Sequence, residues 1–144
     1  SQMGALCLKR GDLDGCLDWN QRAVKARPGF SEGYGNIGFI HLQRGEVDEA
    51  IKALRRSTAF NTRFVQGFAS LANAYLMKGM VDESIETNLK VLELAPEFAI
   101  AHGNLAIGYM EKEDFEKAIA HADKARALGY EVPGPIAEEL ESHR

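Results

Sequence analysis

Cysteine, tryptophan and proline are scarce in this chain, which contains two, one and four of them. The two cysteines, Cys7 and Cys16, are too few for a disulfide framework and lack the paired spacing of a zinc site. A disulfide-stapled scaffold is thereby excluded, and a reducing, cytoplasmic compartment is expected. Cations are in deficit as well, 17 Lys and Arg against 21 Asp and Glu, for a net charge of -4. No basic stripe is visible, which argues against nucleic acid, whose binding draws on clustered Lys and Arg to displace counterions. Nothing approaches the roughly 18 consecutive apolar residues of a membrane span, and residues 1–30 carry no signal-peptide pattern. What is present, 144 residues at 45% hydrophobic and 26% charged, suffices for one ordinary domain with a core.

The chain is organised by an internal period of 34 residues. Tyr34, Phe68 and His102 form one column, Ile37, Leu71 and Leu105 the next, then Gly38, Ala72 and Ala106, then His41, Tyr75 and Tyr109. Gly45 and Gly79 mark the turns, and Ala50, Ser84 and Ala118 place small residues in the second helix of each unit. A period of this length marks helix-turn-helix units, none of which buries its apolar face alone. The first residues join the same register, since Met3, Gly4, Cys7, Gly11, Cys16, Ala23 and Pro28 fall on schedule. The first helix is clipped, so Ser1 is expected to mark a boundary within a longer protein.

The repeats are expected over residues 1–30, 31–64, 65–98 and 99–132 of a single domain, each with a helix A and a helix B. Helix A of the first ends near Arg10 and its helix B spans Leu13 to Ala26. The second has helices near Ser31 to Arg44 and Val47 to Phe60, with Ser31 as the N-cap. The third covers Val65 to Leu94, and the fourth has helices near Ala99 to Lys112 and Phe115 to Leu128. Its turn, Lys112-Glu113-Asp114, lacks the glycine of the others. After Gly129, Pro135 suits the first turn of a short helix over about 135–142. Its narrow stripe of Ile136, Ala137 and Leu140 reads as a cap on the open end of a solenoid. Two charge columns support these boundaries: Arg10, Arg44, Lys78 and Lys112 end the A helices, and Asp14, Asp48, Asp82 and Glu116 open the B helices, as the helix dipole favours.

The pattern Tyr34-Ile37-Gly38, Phe68-Leu71-Ala72-Tyr75 and Leu105-Ala106-Tyr109, with Ala23, Ala50, Ala118, Ala125, Pro28 and Pro96, resembles the tetratricopeptide repeat family. The resemblance covers residues 1 to about 128. It departs from the family in helix B, where the usual aromatic column reads Asn20, Leu54, Asn88 and Ala122. The resemblance implies an all-α fold, a right-handed α-α superhelix of about four repeats plus a C-terminal capping helix. Its A helices would line a concave groove that binds segments of other proteins, without catalysis. In that groove the exposed columns correspond to Gly35, Ala69 and Gly103; to Asn36, Ser70 and Asn104; to Phe39, Asn73 and Ile107; and to Gln43, Met77 and Glu111.

No charged residue lies between Phe64 and Met77 or between Phe98 and Met110, whereas the B helices carry Glu49, Lys52, Arg55, Glu83, Glu86, Lys90, Lys117 and Lys124. A neutral, partly apolar groove is expected. The carboxylate clamp known in the family, built of Lys and Arg, is absent, because its columns hold Gly35, Ala69, Asn36, Ser70, Gln66, Ile100 and Asn104. An asparagine ladder is the mode that remains: Asn36, Asn104 and Asn73 offer amides that pair with a peptide backbone. Phe39, Ile107 and Met77 would add apolar contact. Gly35 and Gly103 would either let a ligand backbone reach the groove floor or reflect a tolerant column. Self-association, or service as the regulatory domain of a larger enzyme, is the alternative to peptide capture.

Other signals weigh less. Gly33-Tyr34-Gly35-Asn36-Ile37-Gly38 matches a dinucleotide fingerprint, but no strand precedes it and it sits inside a repeat helix. Cys7 and His41 share a column that normally holds a packed tyrosine, and no third group orients the histidine for nucleophilic chemistry. Cys16 and His102 read as core, and Trp19 as outer-layer packing. His121 and His143 have no ligand partner three or four residues on, so neither a metal nor any other cofactor is expected.

Overall fold

A computed structural model describes residues 13–144. Among the described residues there are eight helices and no strand: α1 (Leu13–Ala26), α2 (Ser31–Gln43), α3 (Val47–Phe60), α4 (Val65–Lys78), α5 (Val81–Leu94), α6 (Ala99–Glu111), α7 (Phe115–Ala127) and α8 (Gly134–Glu141). They match the expected A and B helices to within a residue or two. Helix A of the first repeat, with Met3, Gly4, Cys7 and Arg10, lies outside the described residues. The chain divides into two compact units, one ending at Ala74 and the other Tyr75–Arg144.

In the first unit α2 packs against both α1 and α3. Its core is Cys16, Ile37, Ile40, Ala50, Ala53 and Leu54, with Leu71, Ala72 and Ala74 from α4 also buried. Leu54 is the reason for Gly38. A Cβ on Gly38 would lie 2.4 Å from Leu54 Cγ, so the large residue of α3 occupies the space that the small residue of α2 leaves. Asn20 replaces an aromatic and is fully buried, yet its amide donates to the Cys16 carbonyl at 2.8 Å. Among the described residues every buried side-chain nitrogen and oxygen has a partner, which removes the desolvation penalty such polar substitutions would carry.

Ser31 is not the cap that the sequence indicated. It is the first helical residue, after Phe30, and its hydroxyl donates to the Ser57 carbonyl at 2.8 Å while the Ser57 hydroxyl donates to the Ser31 carbonyl at 2.8 Å. A local capping bond has given way to a reciprocal bond between α2 and α3, available only because the repeat folds back on itself.

In the second unit α6 packs against α5 and α7, and α8 against α7. Ala106, Ala118, Ala122, Ala125, Val132 and Leu140 form one buried cluster, with Ile136 and Ala137 packed on it. The apolar stripe of α8 thus covers the last repeat, and its outward face keeps Glu138, Glu139 and Glu141 exposed. Beyond it, Arg144 forks onto both Asp123 oxygens, at 2.6 and 3.2 Å, and reaches Glu141 at 2.9 Å.

The three A helices that end within the described residues close alike. Glu46 donates to the His41 carbonyl, Met80 to Tyr75 and Asp114 to Tyr109, at 2.8, 2.8 and 2.9 Å. This closure requires a left-handed residue, supplied by Gly45 at φ 76° and Gly79 at φ 83°. In the fourth repeat Glu113 adopts it at φ 60° without being glycine. The charge columns also pair between repeats rather than only along a dipole: Arg44 bridges to Asp14, and Lys112 to Asp82 at 3.0 Å.

Candidate functional site

The residues expected to bind a peptide fall on both units. On α2, Phe39 and Gln43 are exposed and Gly35 and Asn36 half-buried; on α4, Asn73 is exposed, with Ala69 and Ser70 half-buried. In the second unit Met77 and Glu111 are exposed, Asn104 and Ile107 half-buried, and Gly103 buried. Successive residues on an α-helix turn by about 100°, so Gly35, Asn36, Phe39 and Gln43 share one face of α2. Glu32, exposed in the first turn of α2, falls on the same face by that reckoning and is its one charged member. Phe39 is 39% exposed, one of several large apolar side chains exposed among the described residues.

The amides and glycines have internal roles that the repeat register did not reveal. Asn36 donates to the Asn20 side chain at 3.2 Å, which fixes the orientation of its amide. The space above Gly35 is taken by Phe64, whose ring would come within 2.9 Å of a Cβ there. Gly103 lies under Tyr130 still more closely, at 2.4 Å. Both glycines therefore admit an aromatic ring of the same unit, which offsets the helix-propensity cost of about 1 kcal/mol.

One polar constellation joins histidines on different helices, which spacing along one helix does not reveal. His102, 7% exposed on α6, and His121 on α7 bring their Nδ1 atoms to 3.0 Å, and His102 Nε2 lies 3.0 Å from the Pro96 carbonyl. A carbonyl only accepts, so His102 Nε2–H donates to Pro96; its Nδ1 is left to accept from His121 when both rings are neutral. His121 also stacks on Tyr109, 5.6 Å between centroids. Burial first, and then His102 and Lys117, push the His121 imidazole below its usual range. The two rings fill the aromatic space of the repeat and read as packing. Among the described residues no group of three or more His, Cys, Asp or Glu is placed to hold a metal ion, and no helix is long and apolar enough to cross a membrane.

An all-α chain of registered helix pairs closed by a short terminal helix is a helical-repeat solenoid. The family described as Tetratricopeptide repeat matches residues 31–62, the second repeat. The same fold is found in the crystal structure of MamA protein, at TM-score 0.80 and 24% identity over 88% of this chain and 69% of that one. MamA 41-end from Desulfovibrio magneticus RS-1 gives 0.79 and 24%, over 88% and 72% of the two chains. TTC0263, a thermophilic TPR protein of Thermus thermophilus, gives 0.74 and 22%, over 89% and 72%. No curated protein sequence is significantly similar to the chain. Residues 31–62 thus match one tetratricopeptide repeat and the described residues share the fold of these structures; such repeats are in general protein-interaction modules.

Proposed function

We propose that this protein is a non-catalytic interaction module that binds a neutral or apolar peptide segment of a partner protein along its A helices. The observation that carries the reading is Phe39: an exposed aromatic on a helix face that it shares with the uncharged Gly35, Asn36 and Gln43, Glu32 in the first turn being the one charge there. Aromatic side chains in such settings supply much of the energy of protein recognition. Ala69, Ser70 and Asn73 extend the same chemistry on α4. Within the second unit, taken by itself, Asn104, Ile107 and Glu111 offer a surface of similar type, as does Met77, 52% exposed and able to adapt its shape to a ligand. The Oδ1 of Asn36 and the amide of Asn104 would pair with the peptide backbone.

The test is to pan a displayed library of random peptides on the purified protein and measure the selected sequences by calorimetry against the parent and Phe39→Arg. Selected peptides are expected to be rich in apolar residues and poor in acidic ones, and to lose at least tenfold in affinity on Phe39→Arg with helical content unchanged. Peptides whose binding Phe39→Arg leaves intact would remove this face as the site.

A further inference from the structure

A cleft lies on the other side of α2. Its volume is about 520 Å³, and it is lined by Gln21, Val24, Lys25, Pro28, Tyr34 and Arg56. It adjoins another of about 270 Å³ that shares Gln21, Tyr34 and Arg56 and adds Ile37, His41, Glu49, Lys52 and Ala53. Both lie within the first unit, between α1, α2 and α3. The α2 residues involved, Tyr34, Ile37 and His41, sit within roughly 60° of one another around the helix; by the same reckoning they oppose Phe39 and Gln43. The cleft is therefore separate from the face that carries Phe39.

Its chemistry is also different. Three cations, Lys25, Lys52 and Arg56, line it against one carboxylate, Glu49, in a chain whose net charge is -4. Neither lysine forms an ion pair with a described residue, although carboxylates are common on neighbouring surface and several other cations are paired. Arg56 is held in place: its guanidinium lies 5.7 Å from the centroid of the Tyr34 ring, which stacks in turn on Phe60 at 5.7 Å. A planar, oriented guanidinium is suited to carboxylate recognition. Lys52 and Arg56 stand four residues apart on one face of α3, about 6 Å along its axis, and Lys25 approaches from α1. Cations spread along a cleft match several anionic groups in succession better than a single one. Val24, Pro28, Ile37 and Ala53 give the floor an apolar component.

We propose that this cleft binds a short acidic peptide segment of a partner protein, its carboxylates on Lys25, Lys52 and Arg56 and an intervening apolar side chain on Val24 and Pro28. The probe is fluorescein-labelled Glu-Glu-Leu-Glu-Glu-amide, titrated with the whole protein by fluorescence anisotropy at two salt concentrations. The expected result is saturable binding that weakens with salt and falls at least tenfold in a Lys25→Glu, Arg56→Glu variant that retains its circular dichroism. Lys124→Glu, a charge reversal of the same kind in the second unit, should leave the affinity within twofold of the parent. Absence of binding by the parent, equal binding by the double variant, or an equal loss in Lys124→Glu would overturn the assignment. So would displacement of the probe by inorganic phosphate at constant ionic strength, which would make the cleft a phosphate site.

Discussion

The contact between Gly38 and Leu54 lends itself to a quantitative test. A Cβ on Gly38 would lie 2.4 Å from Leu54 Cγ, 2.7 Å from Cδ2 and 3.2 Å from Cδ1. The nearest atom is the branch point of a side chain with no exposed surface, so it has little room to retreat. Overpacking of this kind costs about 1–3 kcal/mol, and the severity of the overlap places it near the top of that range. Alanine gains about 1 kcal/mol over glycine in a helix interior, so Gly38→Ala should lose a net of about 2 kcal/mol. Leu54→Ala alone removes a buried side chain and should cost about 2–5 kcal/mol. The double variant reproduces the pair found in the fourth repeat, where Ala106 and Ala122 belong to one buried cluster. There the new methyl meets no obstacle and fills part of the cavity. The double variant should therefore be more stable than the sum of the single losses allows, by at least about 2 kcal/mol. Urea unfolding of the four proteins, followed by circular dichroism, completes the cycle. Additivity within about 0.5 kcal/mol would refute the claim that glycine at 38 exists to admit Leu54.

Glu113→Gly should stabilise the fourth repeat by about 0.5–1 kcal/mol, read as a rise in thermal midpoint, because a left-handed backbone at φ 60° is unfavourable for any residue with a Cβ; no change or a loss would contradict this. Gly103→Ala should destabilise despite its helix propensity, since its methyl would overlap the Tyr130 ring, and Tyr130→Ala should relieve the overlap; unfolding midpoints of the two single variants and the double decide it. His121 gives a pH dependence of known sign. Its folded value is depressed by burial, His102 and Lys117, so its contribution is fully present above the unfolded value of about 6.5. It is lost as pH falls from there toward the folded value, because the unfolded chain takes up the proton first. Urea midpoints between pH 7.5 and 5 should fall in the parent and fall less steeply in His121→Phe; equal slopes would show that the histidine pair is not the titrating element. Arg44→Ala should cost at most about 1 kcal/mol in urea unfolding, since its bridge to Asp14 joins surface groups that water already solvates.

The sequence by itself determined the elements and their order. The 34-residue period, the prolines after the B helices and the glycines after the A helices all act through local backbone preferences. Local preferences are legible without knowing what packs on what. That is why Val47–Phe60 and Leu13–Ala26 were readable to the residue, and why the stripe of Ile136, Ala137 and Leu140 announced a covering helix. The exposure of Phe39 and Gln43 was also readable, because repeat register projects a helix surface directly.

The tertiary structure decided whatever depended on contacts between helices. Ser31 abandoned its cap for Ser57, 26 residues away, and Gly35 and Gly103 proved to make room for Phe64 and Tyr130, neither of which the repeat pattern singled out. Glu113 took the left-handed turn of its glycine counterparts because the closing bond from Asp114 to Tyr109 holds it there. His102 and His121 met although 19 residues separate them. The cationic cleft is the plainest case: Lys25, Lys52 and Arg56 stand on two helices, unremarkable in a chain of net negative charge, until the packing of α1 and α3 on α2 sets them around one space. Charge along a sequence counts residues, whereas charge in a cleft depends on which side chains the fold turns toward one another.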